Sequence, residues 1–232
     1  MIIHARRYFN VFIGYDVTQR AAYEVCWQSL VDHGVDPACI HPLHTGDLRR
    51  LGVYWRPSDP KASTDFTYTR FLVPFLSGYS GLSLFCDSDF LWRCNPVEDL
   101  LFKYRDNATV SCVQHQLKAL PSDKKMDGKV QELYPRKNWS SMMVFDNERC
   151  TVLTPDMVSS ANASTLHQMH WAEKIGFIPM NYNHLVGYPG YSTTDVRGVH
   201  FTDGVPTMPG HEDDPFAEEW RLVQRRAKPQ NL

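Results

Sequence analysis

Apolar residues along this chain fall in short runs, and polar stretches with helical spacing lie between them. "FNVFIG" (9–14) reads as a buried strand. "TQRAAYEVCWQSLVDHG" (18–34) follows with a helical pattern, with Thr18 placed to cap its start and Gly34 to end it. "ACIHPL" (38–43) predicts a second strand, and "STDFTYTRFLVPFLSGY" (63–79) a helix that Pro74 should kink or end. "GLSLFCDSD" (81–89) is the third clear strand, and "PVEDLLFKY" (96–104) a short helix with Pro96 at its first position. Two more strands, "ATVSCVQ" (108–114) and "WSSMMVFD" (139–146), flank a polar, lysine-bearing loop over 121–138. A helix at "TPDMVSSAN" (154–162) and a helical turn at "STLHQMHW" (164–171) come next. A last short strand at "GVHFT" (198–202) and a terminal helix at "PFAEEWRLVQRRA" (215–227) complete the pattern.

Alternating strands and helices predict an α/β sandwich around a central, mainly parallel sheet, where ligands bind beyond the carboxyl ends of the strands. No repeat, low-complexity tract or long linker divides the chain, so residues 1–232 read as one domain. Polar residues cluster at the predicted strand ends: Asp16 after the first, Asp87 and Asp89 after the third, Thr202 and Asp203 after the last.

Composition narrows the classes. At 232 residues and 43% hydrophobic the chain can bury a proper core. Its mean hydropathy of -0.39 and lack of a long apolar run argue against an integral membrane segment. The start, "MIIHARRYFNVFIGYD", lacks a secretory signal's apolar stretch and reads as a lead into the first strand. A net charge of -2 gives no field for nucleic acid. The six cysteines are scattered without a C-x-x-C pair, which fits a reducing cytoplasm. On that reading the sequons at Asn107, Asn138 and Asn162 carry no glycan.

The candidate chemistry centres on "LFCDSDFLW" (84–92), where an apolar strand runs into two aspartates. Two carboxylates at one strand end repel unless a cation or a proton lies between them. Residues two apart in an extended segment share a face, so Asp87 and Asp89 can lean onto one ion. Oxygen ligands favour Mg²⁺ or Mn²⁺, and an added imidazole tilts the choice to Mn²⁺. The bland alternative is a solvated Asp-Ser-Asp turn. A strand ending this way serves either a sugar transferase, whose metal bridges a donor diphosphate, or a haloacid-dehalogenase-like phosphatase with an aspartate nucleophile. The phosphatase pattern expects an early strand and a Thr or Val where this chain has Leu91. The histidine pairs His41/His44 and His167/His170 lack partners at structural-zinc spacing.

Six stretches in order resemble a GT-A-fold glycosyltransferase, similar to glycosyltransferase family 8: "VFIGYD" with "AAYEVCWQSL", "STDFTYTRFLVPFL", "LFCDSDFLW", "KMDGKVQELYPRKNWSS", "PMNYNHLVG" and "HFTDGVP". The resemblance implies a GT-A-type, Rossmann-like sandwich. It also implies that Asp87, Asp89 and His200 hold a divalent ion. It puts Tyr15 and Asp16 at the nucleotide base and ribose, Arg70 towards the nucleotide, and Ser88, Lys137, Asn138, Ser140 and Gly204 among the donor-binding positions. Gln168, in "LHQMHW", falls near the transferred sugar. The late segment "HFTDGVPTMPG" lacks the lysine and tryptophan that follow the family's histidine, so Lys124, Lys125, Arg136 and Lys137 become candidates for the leaving phosphate.

The expectation is a metal-dependent hexosyltransferase, with Asp87, Asp89 and Gln168 at its catalytic centre. It would take a nucleotide-sugar donor, a UDP-sugar by resemblance, and act on an acceptor hydroxyl of a glycan, a lipid-linked sugar or a small molecule, with retention. The alternatives are the phosphatase and a non-catalytic nucleotide-sugar binder. Which sugar, which acceptor and which oligomeric state are not written in the sequence.

Overall fold

The computed structural model describes residues 9–60, 62–100, 107–117, 120 and 133–229. Strand β1 (Phe9–Tyr15) is buried along nearly all its length. Asp16 then caps a 3₁₀ turn, its Oδ1 accepting from the Thr18 amide and hydroxyl at 2.9 and 2.6 Å. The chain continues into α1 (Arg20–Asp32), and Gly34 follows it with a φ of 86°, a left-handed value suited to a residue without Cβ. β2 (Ile40–His44), α2 (Thr45–Arg50) and the four-residue α3 (Val73–Leu76) lead to β3 (Leu82–Cys86). Next come β4 (Phe90–Trp92), α4 (Pro96–Leu100), β5 (Val110–Val113) and β6 (Met142–Asp146). The last part holds α5 (Pro155–Ser160), α6 (Ala163–His167), β7 (Ile175–Ile178), β8 (His184–Leu185), β9 (Gly198–His200) and α7 (Ala217–Gln224).

Six strands form the main sheet in the order β2-β1-β3-β6-β5-β7. Pairings β1–β2, β1–β3 and β5–β7 are parallel, while β6 runs antiparallel to both neighbours. The register sorts side chains into two cores. Val11 lies opposite Leu84 and Leu84 opposite Val144, all on the face covered by Tyr23, Cys26 and Leu30 of α1. Phe12, Phe85 and Met143 line the other face with Phe66, Phe71 and Leu72. Both faces being covered, the strands read as apolar runs rather than as alternations.

A second sheet, β4-β9-β8, stands beside the first. Leu91, Val199, Phe201 and Trp220 make its own core against Ala22 and Val25 of α1. α1 thus has one face on each core. Across β4 and β9, antiparallel pairing sets Phe90 opposite His200, with ring centres 4.6 Å apart.

Several expectations shift. The helix expected over 63–79 is confined to a 3₁₀ turn (Thr69–Leu72) and α3, with Pro74 in α3's first turn rather than at a kink. Hydroxyls of the Ser/Thr-rich lead bond locally, Thr67 Oγ1 donating to Thr64 O at 2.8 Å, and such bonds compete with a helix. Asp16, not Thr18, is the capping residue after β1. Residues 139–141 form a 3₁₀ turn ahead of β6. The lead 1–8, residues 101–104 of the predicted helix, most of the 121–138 loop and both Lys124 and Lys125 lie outside the described residues.

Candidate active site

β3 ends at Cys86, and the Asp87 amide donates to Ser141 O at 2.9 Å, fixing the chain where it leaves the sheet. Asp89 follows just before β4, and its carbonyl accepts from the Phe201 amide at 3.0 Å. The β4–β9 register and this bond bring His200 to the aspartates. One ligand atom from each of Asp87, Asp89 and His200 lies within 4.8 Å of the other two. Asp89 Oδ1 is 3.3 Å from His200 Nε2, and the two side chains are 10% and 1% exposed. That oxygen is buried with no hydrogen bond among the described residues. A carboxylate oxygen left this way is costly in a folded protein. A divalent ion satisfies it together with the imidazole, and a site of two carboxylates and one imidazole suits Mn²⁺ or Mg²⁺. The residues therefore fit the ion.

Arg70 is almost fully buried beside them. Its Nη1 lies 2.8 Å from Asp87 Oδ1 and donates to Ser140 O at 2.8 Å, while its guanidinium sits 5.0 Å from the centre of the Phe85 ring. Asp16 is buried and engaged in structure: besides Thr18, its Oδ2 accepts from the Asp65 amide at 3.1 Å. Tyr15 packs edge-on against Tyr23 and His44, each at 5.2 Å.

A cavity of about 650 Å³ opens at the aspartates, a size typical of small-molecule sites. Arg70, Asp87, Asp89, Lys137, Asn138, Ser140 and Gln168 all line it. Lys137 is buried, with Nζ 5.0 Å from the centre of the Tyr134 ring. Asn138 has a left-handed φ of 64°, which turns the chain into the 3₁₀ turn ahead of β6. Ser140 Oγ meets His167 Nδ1 at 2.9 Å. Gln168 caps α6 and accepts through its carbonyl from Arg136, whose guanidinium is 5.3 Å from the Trp139 ring centre. Tyr15, Asp16, Ser88, His200 and Gly204 do not line the cavity. Ser88 is buried and its hydroxyl donates to Gln19 Oε1 at 3.1 Å. Gly204 lies under the His211 ring, where a Cβ would come within 2.2 Å.

Sequence reasoning missed three contributors. Tyr68, at the cavity wall, donates to Asp59; burial and that bond push its phenol up to about 12, so it stays a donor at neutral pH. His167 was considered only as a zinc ligand, yet it faces the cavity. Asn183 is fully buried behind His200, its Oδ1 2.9 Å from Nδ1. The Ser/Thr/Tyr density at 63–69 was a usable signal for the first; Asn183 offered none beyond its place in "PMNYNHLVG".

No protein-family model matches the chain. Among solved structures, the galactosyltransferase LgtC in complex with donor and acceptor sugar analogues superposes with a TM-score of 0.58 at 12% identity, covering 94% of this chain and 96% of that one. The bifunctional glycosyltransferase WbbM gives 0.59 at 14% identity over 94% of this chain, which spans 50% of that chain. At these identities the likeness establishes the fold, which is GT-A. Protein CDI of Arabidopsis thaliana is 37% identical over 220 residues, 91% of this chain and 84% of that protein. The chain therefore belongs to the family of Protein CDI and carries it on a GT-A fold.

Proposed function

We propose that the protein is a metal-dependent glycosyltransferase that moves a hexose from a nucleotide-sugar, a UDP-sugar, to an acceptor hydroxyl. The observation that carries this reading is the buried Asp89 oxygen facing the His200 imidazole beside Asp87, at the mouth of a large cavity. Asp87, Asp89 and His200 would hold the divalent ion. When bound, the ion neutralises charge developing on the departing diphosphate, a Lewis-acid contribution worth several kcal/mol.

The chain's own residues divide the remaining work. Arg70 holds Asp87 in place and keeps a positive charge behind the donor position. Lys137, which lines the cavity with Arg70, stands in for the family lysine missing after His200. Ser140, His167 and Gln168 give donors and acceptors suited to sugar hydroxyls. Tyr68, its hydroxyl hydrogen given to Asp59, offers the cavity an acceptor oxygen. Burial of Asp89 and Arg70 strengthens the electrostatic contacts they make. Retention of anomeric configuration follows from the resemblance and is read directly by NMR of the product.

Asp89→Asn tests the proposal. The variant should fold as wild type yet turn over UDP-sugars at least ~100-fold more slowly, the loss expected when one charge-stabilising partner is removed. Normal turnover would take Asp89 out of the mechanism. Saturable UDP binding by the wild type, with no UDP-sugar consumed in the presence of Mn²⁺ and varied acceptors, would favour a non-catalytic binder.

A further inference from the structure

We propose that Asn183 is a positioning residue that fixes which nitrogen of His200 faces the metal, an inference that rests on the metal reading above. The logic is one of hydrogen counting. Ser141 Oγ has a single hydrogen, and it donates it to Asn138 O at 2.7 Å. Towards Asn183 the serine can therefore only accept, and Asn183 Nδ2 lies 2.9 Å away as the donor. This sets the direction of the amide: its NH₂ faces Ser141 and its Oδ1 faces His200 Nδ1 at 2.9 Å. A carbonyl oxygen only accepts, so Nδ1 carries a proton. Nε2 is thereby the nitrogen that presents a lone pair to the ion, on the side where Asp89 Oδ1 lies 3.3 Å away.

The relay is sealed. Asn183 and Ser141 are 0% and 3% exposed, so water does not compete for these bonds. It is also tied to the aspartates, because Ser141 O accepts the Asp87 amide. One serine thus holds the strand end that carries Asp87 and the amide that orients His200. Partners of this kind raise ligand basicity and hold ring orientation, and losing one typically weakens metal affinity by about 10–100-fold.

The test is Mn²⁺ affinity, read from the EPR signal of the free ion with saturating UDP, on the full chain. Asn183→Ala should weaken Mn²⁺ binding by about 10–100-fold, and Ser141→Ala should weaken it less. In a His200→Ala background Asn183→Ala should cost nothing further, since the residue acts through the imidazole; a purely packing role would cost the same in both backgrounds and would overturn the proposal. Unchanged affinity in Asn183→Ala would also overturn it. Wild-type protein that binds neither Mn²⁺ nor Mg²⁺ would instead remove the metal reading, and this inference with it. Should Asn183→Ala not fold, ¹⁵N NMR of the metal-free wild type decides: a proton on His200 Nδ1 is expected, and a bare Nδ1 contradicts the relay.

Discussion

Asp87 and Asp89 share a strand end but not an environment. Asp87 has Arg70 at 2.8 Å, whereas Asp89 has an imidazole nitrogen at 3.3 Å and an oxygen with no hydrogen bond among the described residues. The difference lies in what each carboxylate faces, a guanidinium for Asp87 and an imidazole for Asp89, and removing a charge here is felt beyond the pair. A second histidine behaves differently. His115 is buried, its Nδ1 paired with the Tyr191 hydroxyl, and burial together with the nearby His200 pushes its imidazole down to about 3. The unfolded chain takes up a proton at this residue near pH 6.5, and the folded one does not until about pH 3. Stability from this residue is therefore complete above pH 6.5 and is lost as pH falls towards 3. Urea unfolding at pH 7 and pH 5 checks it: the loss of stability with acidification should be smaller in His115→Gln than in wild type, by up to about 1.4 kcal/mol per pH unit. Equal slopes would show that His115 titrates alike in both states.

The short elements decide where the ligands meet. β4 and β9 have three residues each, and their register, with the Phe201 amide bonded to Asp89 O, places His200 beside Asp89. Gly198 permits it: a Cβ there would lie 2.3 Å from the Tyr182 carbonyl oxygen, a backbone atom that cannot turn aside. Gly198→Ala should cost about 1–3 kcal/mol of stability by overpacking and weaken Mn²⁺ binding through a displaced His200. Paired urea and Mn²⁺ titrations check this, and wild-type values in both would show that β9 does not set the ligand. How legible these elements were follows from their physics. β1, β3 and β6 are buried on both faces, so their apolar runs stood out, and so did the aspartates that end β3. The pairing of β4 with β9 and the two-residue β8 left no local pattern, because strands this short are specified by partners distant in sequence. The 63–79 stretch misled for the opposite reason: Phe66, Phe71 and Leu72 are apolar because they fill the core under the sheet, not because they line a helix. Asn183 could not be foreseen, since a lone asparagine in a turn acquires meaning only from what it faces.

The chain is built as two sheets that share α1, with the cavity opening where residues 87–89 carry the chain from β3 of one sheet to β4 of the other. All six cysteines are free thiols, and the buried Cys26 and Cys86 sulfurs lie 3.8 Å apart, hydrogen-bonded but not joined in a disulfide. Among the described residues no helix is long and apolar enough to cross a membrane. Among the described residues Asp87, Asp89 and His200 already converge, beside a cavity of about 650 Å³. The most direct check is a crystal soaked with Mn²⁺ and UDP, examined by anomalous scattering at the manganese edge. A single peak among Asp87, Asp89 and His200, with the diphosphate oxygens beside it, is the result expected; a peak elsewhere, or UDP bound away from these three side chains, would contradict it.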